Sequence, residues 1–212
     1  MPEYTREIHG VLVRVTLDEM FAPQADGFFQ ILESLPTSAV GDGQVIQAGW
    51  GFLKPLAQPD GSVVLTAPDH AGATPDWITD LSTEAWVLAE QVTMLRKLGV
   101  DPKECRASDY ILVEQGALEA EEVYFHRRAT KRESDSGWFL GIAQPGDRGE
   151  MEWVIAYSLL QSRKELIPFL MLPDEHMVFL NRRAGQEHHV LVGHDGSGCL
   201  RCQEPGALVV TA

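Results

Sequence analysis

The chain has 212 residues, 44% of them apolar and 23% charged, and its 31 acidic against 17 basic side chains give a formal net charge of −14. That apolar fraction sustains a core and excludes a disordered chain. The acidic excess, spread over both halves, excludes the basic footprint that nucleic acid requires. A length of this order accommodates one large domain or two small ones.

Residues 8–16 are rich in β-branched side chains and predict a strand. A helix is expected over 24–34, stopped before Pro36. Residues 45–53 predict a strand with glycine irregularities, and Pro59-Asp60-Gly61 turns the chain into a returning strand at 63–66. The clearest helix runs from 83 to 98. Ser82 is its expected N-cap, Leu81 and Trp86 a hydrophobic staple, and Gly99 its stop. Its apolar stripe reads Ala85, Leu88, Ala89, Val92, Leu95 and Leu98.

The polar stretch 101–108 marks a boundary between an N-terminal α+β region, 1–107, and a C-terminal α+β domain, 108–212. Strands are expected at 110–113, 123–127, 137–141, 177–180, 189–192 and 207–210, and helical turns at 152–161 and 164–169. Strands mixed with few helices predict the α+β class with mixed or antiparallel sheet.

No run approaches the ~20 apolar residues of a membrane span. Met1-Pro2-Glu3-Tyr4-Thr5-Arg6-Glu7 has no apolar signal core, so a cytoplasmic protein with no membrane partner is expected. Cys105, Cys199 and Cys202 are too few for a disulfide framework, in keeping with a reducing compartment.

One constellation resembles a metal site. His189 and His194 bracket four residues, and Cys199-Leu200-Arg201-Cys202 is one Cys-x-x-Cys, so the four side chains have the chemistry of a tetrahedral zinc shell. The alternative is a glycine turn carrying surface thiols and histidines, with no cofactor. Nucleophile-elbow, phosphate-loop, dinucleotide and His-Glu-x-x-His patterns are absent from the sequence, and no enzyme is expected. Asp69-His70 and Asp174-Glu175-His176 pair carboxylate with imidazole, which loop solvation explains as well as general-base chemistry. The acids at 114–122 fit either a solvated loop or a protein-facing patch. Among the tryptophans, Trp86 and Trp153 sit at helical core spacing, and Trp50 and Trp138 in glycine-flanked strand contexts. Core packing is their expected role, with anchoring of a partner the alternative.

The segment 123–182 combines four ordered elements. They are Val123-Tyr124-Phe125-His126-Arg127, Asp135-Ser136-Gly137-Trp138-Phe139, Glu165-Leu166-Ile167-Pro168-Phe169-Leu170 and Met177-Val178-Phe179-Leu180. In this order they resemble the immunity protein 33 domain of bacterial polymorphic-toxin systems. The resemblance implies an antitoxin that binds a cognate, possibly basic, protein toxin without a catalytic group. Family members often carry an acidic run after the aromatic strand. Here that place reads Gly141-Ile142-Ala143-Gln144-Pro145-Gly146-Asp147, with Glu150 and Glu152 later. The expected contact residues are Glu119, Glu121, Glu122, Asp135, Trp138, Asp147, Glu150 and Glu152. From turn chemistry alone, Asp135 is also expected to hold an Asx turn and Trp138 to plug the core.

Overall fold

The computed structural model describes residues 1–41, 43–70, 76–143, 149–182, 189–194 and 208–211. The chain forms two compact units, Met1–Glu90 and Gln91–Ala212, and its class is α+β.

In the first unit, β1 (Glu3–Ile8) and β2 (Val11–Thr16) form an antiparallel hairpin. The strand expected over 8–16 is therefore only its second arm. His9 and Gly10 both take positive φ, 52° and 80°, the two-residue turn geometry that matches the twist of paired strands. Helix α1 (Ala25–Glu33) follows, close to expectation. The long strand expected at 45–53 is broken. β3 (Ile46–Ala48) and β4 (Gly51–Ala57) flank a turn in which Gly49 has φ +58° and Trp50 is buried. β4 returns as β5 (Val63–Pro68), and the short β6 (Trp77–Ile78) pairs with its end. The sheet runs β1-β2-β5-β4-β3. Val13, Val15, Leu53 and Leu65 share a core with Phe28, Phe29 and Leu32 of α1.

Helix α2 (Ser82–Leu98) starts where expected, but Asp80 accepts the Ser82 backbone N–H at 2.9 Å. The Ser82 hydroxyl accepts instead from the Asp18 N–H. The buried positions are Glu84, Ala85, Val87, Gln91, Met94 and Leu95, a face rotated from the predicted stripe. Polar Glu84 and Gln91 hid that face from an apolar count. Both find partners inside: Glu84 pairs with His70 at 3.1 Å, and the Gln91 side-chain N–H donates to the Ile167 carbonyl at 3.3 Å.

The second unit is built on β7 (Tyr110–Glu114), β8 (Glu122–Arg127), β9 (Asp135–Ile142) and β10 (Met151–Ile155). Helix α3 (Leu159–Ser162), a 3-10 segment at Lys164–Phe169, and β11 (His176–Asn181), β12 (His189–His194) and β13 (Leu208–Thr211) follow. The order is β10-β7-β9-β8-β11-β12-β13, antiparallel except for β7 with β9. Ile111, Val113, Val123, Phe125, Trp138, Leu140, Val178 and Leu180 alternate onto one buried face. Leu166, Ile167, Phe169, Leu170 and Leu172 are buried with them.

The helix expected over 152–161 is corrected. Met151–Ile155 is a strand, and helical turns begin only at Ala156. Its apolar residues satisfy helical and strand periods alike over five positions, and pairing with β7 decides between them.

Candidate functional site

The Asp-Ser-Gly-Trp segment opens β9 and knots three chain segments together. Asp135 accepts the Gly137 N–H at 2.9 Å through one carboxylate oxygen and the Thr130 hydroxyl at 2.9 Å through the other. This is the expected Asx turn. Ser136 donates to the Tyr110 carbonyl at 2.7 Å. Gly137 has φ +77°, and a Cβ there would collide with the Arg128 carbonyl oxygen, so only glycine fits. The turn delivers Trp138 into the core, 1% exposed and stacked on Phe125 at 3.9 Å. Burying an indole contributes roughly 4–6 kcal/mol before entropy is counted. Trp138 is thus a core residue, and its expected contact with a partner gives way to this packing role.

Two buried arginines complete the frame. Arg127 donates to the carbonyls of Ser136, Lys103, Leu170, Leu172 and Glu104 at 2.6–3.1 Å. Burial pulls its pKa below the ordinary guanidinium value, opposed by Cys105, Asp174 and Asp109. Arg163 donates to the Ala117 and Ala120 carbonyls and to Glu165. It holds the loop from which Glu119 and Glu121 project, both exposed.

The sheet face opposite the core carries the exposed aromatics. Register places Trp153 beside Leu112 and Phe139, and Ile155 beside Tyr110, on one face. Trp153 is 49% exposed and Tyr110 45%. With Arg132, Glu133, Ser134 and Asp135 they line an open groove of about 340 Å³.

The topology gathers most of the expected acids at one end of the sheet. Glu119 and Glu121 lie in the β7–β8 connection, Glu122 starts β8, and Glu150 and Glu152 lie at the entry to β10. All but Glu122 are exposed, and Glu122 accepts from Asn181 at 3.0 Å. Asp135 lies at the opposite end, its carboxylate engaged as above. Asp147 lies outside the described residues. Glu114 is structural: it is buried and accepts the N–H groups of Ile142 and Gly149 at 3.0 and 2.9 Å.

Residues 90–191 match the family model of the Imm33-like domain. This segment is similar to the Imm33-like domain. It spans the sheet from β7 into β12 and includes the Asp135 turn, both buried arginines and the aromatic groove. No curated protein and no solved structure matches the chain.

Within the matched segment, sequence reasoning missed Trp153 as a surface residue, because it assigned β10 to a helix and its indole to a core. Strand alternation over Met151, Trp153 and Ile155 was the available signal. It also missed Arg127 and Arg163, whose partners are carbonyls distant in sequence. The metal alternative finds no described geometry. His189 and His194 begin and end β12, while Cys199 and Cys202 lie outside the described residues. Among the described residues no group of three or more His, Cys, Asp or Glu is placed to hold a metal ion. Cys105 is fully buried, and burial pushes its thiol up to about 12, which removes it as a nucleophile. No helix among the described residues is long and apolar enough to cross a membrane.

Proposed function

We propose that the chain is an immunity protein that neutralises a cognate bacterial toxin in the cytoplasm by binding it directly. The match to the Imm33-like domain over 90–191 carries this reading. The surface supports it. Exposed Trp153 and Tyr110 have the anchor chemistry enriched at protein interfaces. Exposed Glu119, Glu121, Glu150 and Glu152 supply a charge that steers a basic partner and hastens encounter. Neutralisation by occlusion asks no bond-making chemistry of this chain. The proposed contact set is Trp153 and Tyr110 with these four acids, together with Asp147.

The test is co-expression with the product of the adjacent reading frame. The expected result is protection of the cells and a 1:1 complex of the purified proteins. A neighbouring product that is toxic, yet neither bound nor neutralised, sinks the reading.

A further inference from the structure

Resting on that reading, we propose that β10 is the docking edge, and that the toxin supplies an extended basic segment that pairs with it as an additional strand. β10 ends the sheet order, with β7 on one side and no described strand on the other. Two hydrogen bonds fix which backbone groups face outward. The Gln115 N–H donates to the Glu150 carbonyl at 2.8 Å, and the Ala156 N–H to the Asp109 carbonyl at 2.8 Å. Both pairs keep the register of the ladder, so residues 150, 152, 154 and 156 turn their backbone groups toward β7. Met151, Trp153 and Ile155 then turn their N–H and C=O groups to the free edge.

The same three residues carry side chains on the outer sheet face, where Trp153 and Met151 are exposed. An incoming strand meets main-chain donors and acceptors and, beside them, an indole to pack on. These are the two components of recognition by strand addition, affinity from the backbone and selectivity from alternate side chains.

Charge selects the occupant. Open edges are commonly blunted by charged side chains, and here those are Glu150 and Glu152, both exposed. A second copy would bring its own pair of glutamates and a further net charge of −14 to the same edge. A basic strand meets attraction instead. Glu119 and Glu121 lie at the Glu150 end of the sheet, so the lysines or arginines of the incoming segment belong at that end.

The experiment uses the full chain and a catalytically inactivated form of the neighbouring gene's toxin, read by amide hydrogen exchange. In the free protein the Met151, Trp153 and Ile155 amides exchange fast, while those of Glu152 and Val154 are protected. In the complex the first three slow by at least about 100-fold, as for amides entering a stable ladder. Met151→Pro removes an outward N–H and leaves the β7 ladder intact. It weakens binding about tenfold, the worth of one hydrogen bond, with an unchanged melting temperature. The exchange pattern is read on the wild-type chain and does not depend on how that variant folds. A complex in which the three amides stay fast overturns strand addition and leaves the immunity reading standing. Protection of the same amides in the toxin-free protein, with a dimer in solution, assigns the edge to a second copy and overturns the proposal. No complex with the wild-type chain removes both.

Discussion

Arg127 and Trp138 donate to the same carbonyl oxygen. The Arg127 Nη1 lies 3.1 Å and the Trp138 Nε1 2.9 Å from the oxygen of Leu170. The two residues are register partners across β8 and β9, and the guanidinium carbon stands 5.7 Å from the indole centroid. The basic end of one strand and the tryptophan of the next thus clamp one turn of the segment buried against the sheet. Replacing Arg127 by methionine leaves five carbonyls without that donor. We expect a loss of about 3–5 kcal/mol, the usual cost of removing a buried, hydrogen-bonded charge. Arg127→Lys recovers little, because an ammonium lacks the planar fork. Urea unfolding measures both, and a loss below ~1 kcal/mol for the methionine variant contradicts the clamp.

Gly137 and Gly10 both have positive φ, 77° and 80°, but different surroundings. A Cβ at Gly10 meets nothing within 4 Å, whereas one at Gly137 runs into the Arg128 carbonyl. Gly10→Ala should cost about 1 kcal/mol from backbone strain alone. Gly137→Ala adds a backbone collision and should cost roughly 2–5 kcal/mol. Equal shifts in the denaturant midpoints would show that the Asp135 turn relaxes freely.

Burial raises the Cys105 thiol from an ordinary 9.0 to about 12. A group whose folded pKa lies above its unfolded value favours folding fully below the unfolded value. Between pH 9.0 and about 12 the unfolded chain has lost a proton that the folded chain keeps, so stability falls as pH rises across that window. A chain with Cys199 and Cys202 replaced by serine isolates this thiol. It should resist alkylation at pH 8 until the protein is unfolded, and Cys105→Val should flatten the alkaline decline. Rapid labelling of the native chain contradicts the burial.

Toxin association should slow as salt rises from 50 to 500 mM, because exposed carboxylates act through a screened field. Glu150→Gln with Glu152→Gln should lower the on-rate with little effect on the off-rate. Trp153→Ala should act on the off-rate and weaken binding about 30-fold, as expected for a ~2 kcal/mol anchor. Surface plasmon resonance separates the two effects. A Trp153→Ala variant with wild-type dissociation kinetics removes the indole from the interface.

Local pattern made much of the fold legible. Alternation in 123–127 and 177–180 predicts β8 and β11, and the capped run ending at Gly99 predicts α2. Asp135, Ser136 and Gly137 announce their turn, because each type answers a local need for an acceptor, a small side chain or a positive φ. The apolar stripe of α2 was misread, since burial of Glu84 and Gln91 depends on partners, His70 and Ile167, that no window along the helix contains.

The sequence by itself determined the α+β class, the acidic character and the resemblance to the immunity domain, because composition, short-range periodicity and turn chemistry carry them. Only the tertiary structure decided which side chains are buried and which stand exposed. Trp138 and Trp153 are both tryptophans in apolar surroundings, yet one is stacked in the core and the other stands on an open edge. The difference lies in the neighbours supplied across the sheet. β9 is flanked by β7 and β8 and buries its Trp138 face beneath residues 166–172, whereas among the described strands β10 pairs with β7 alone.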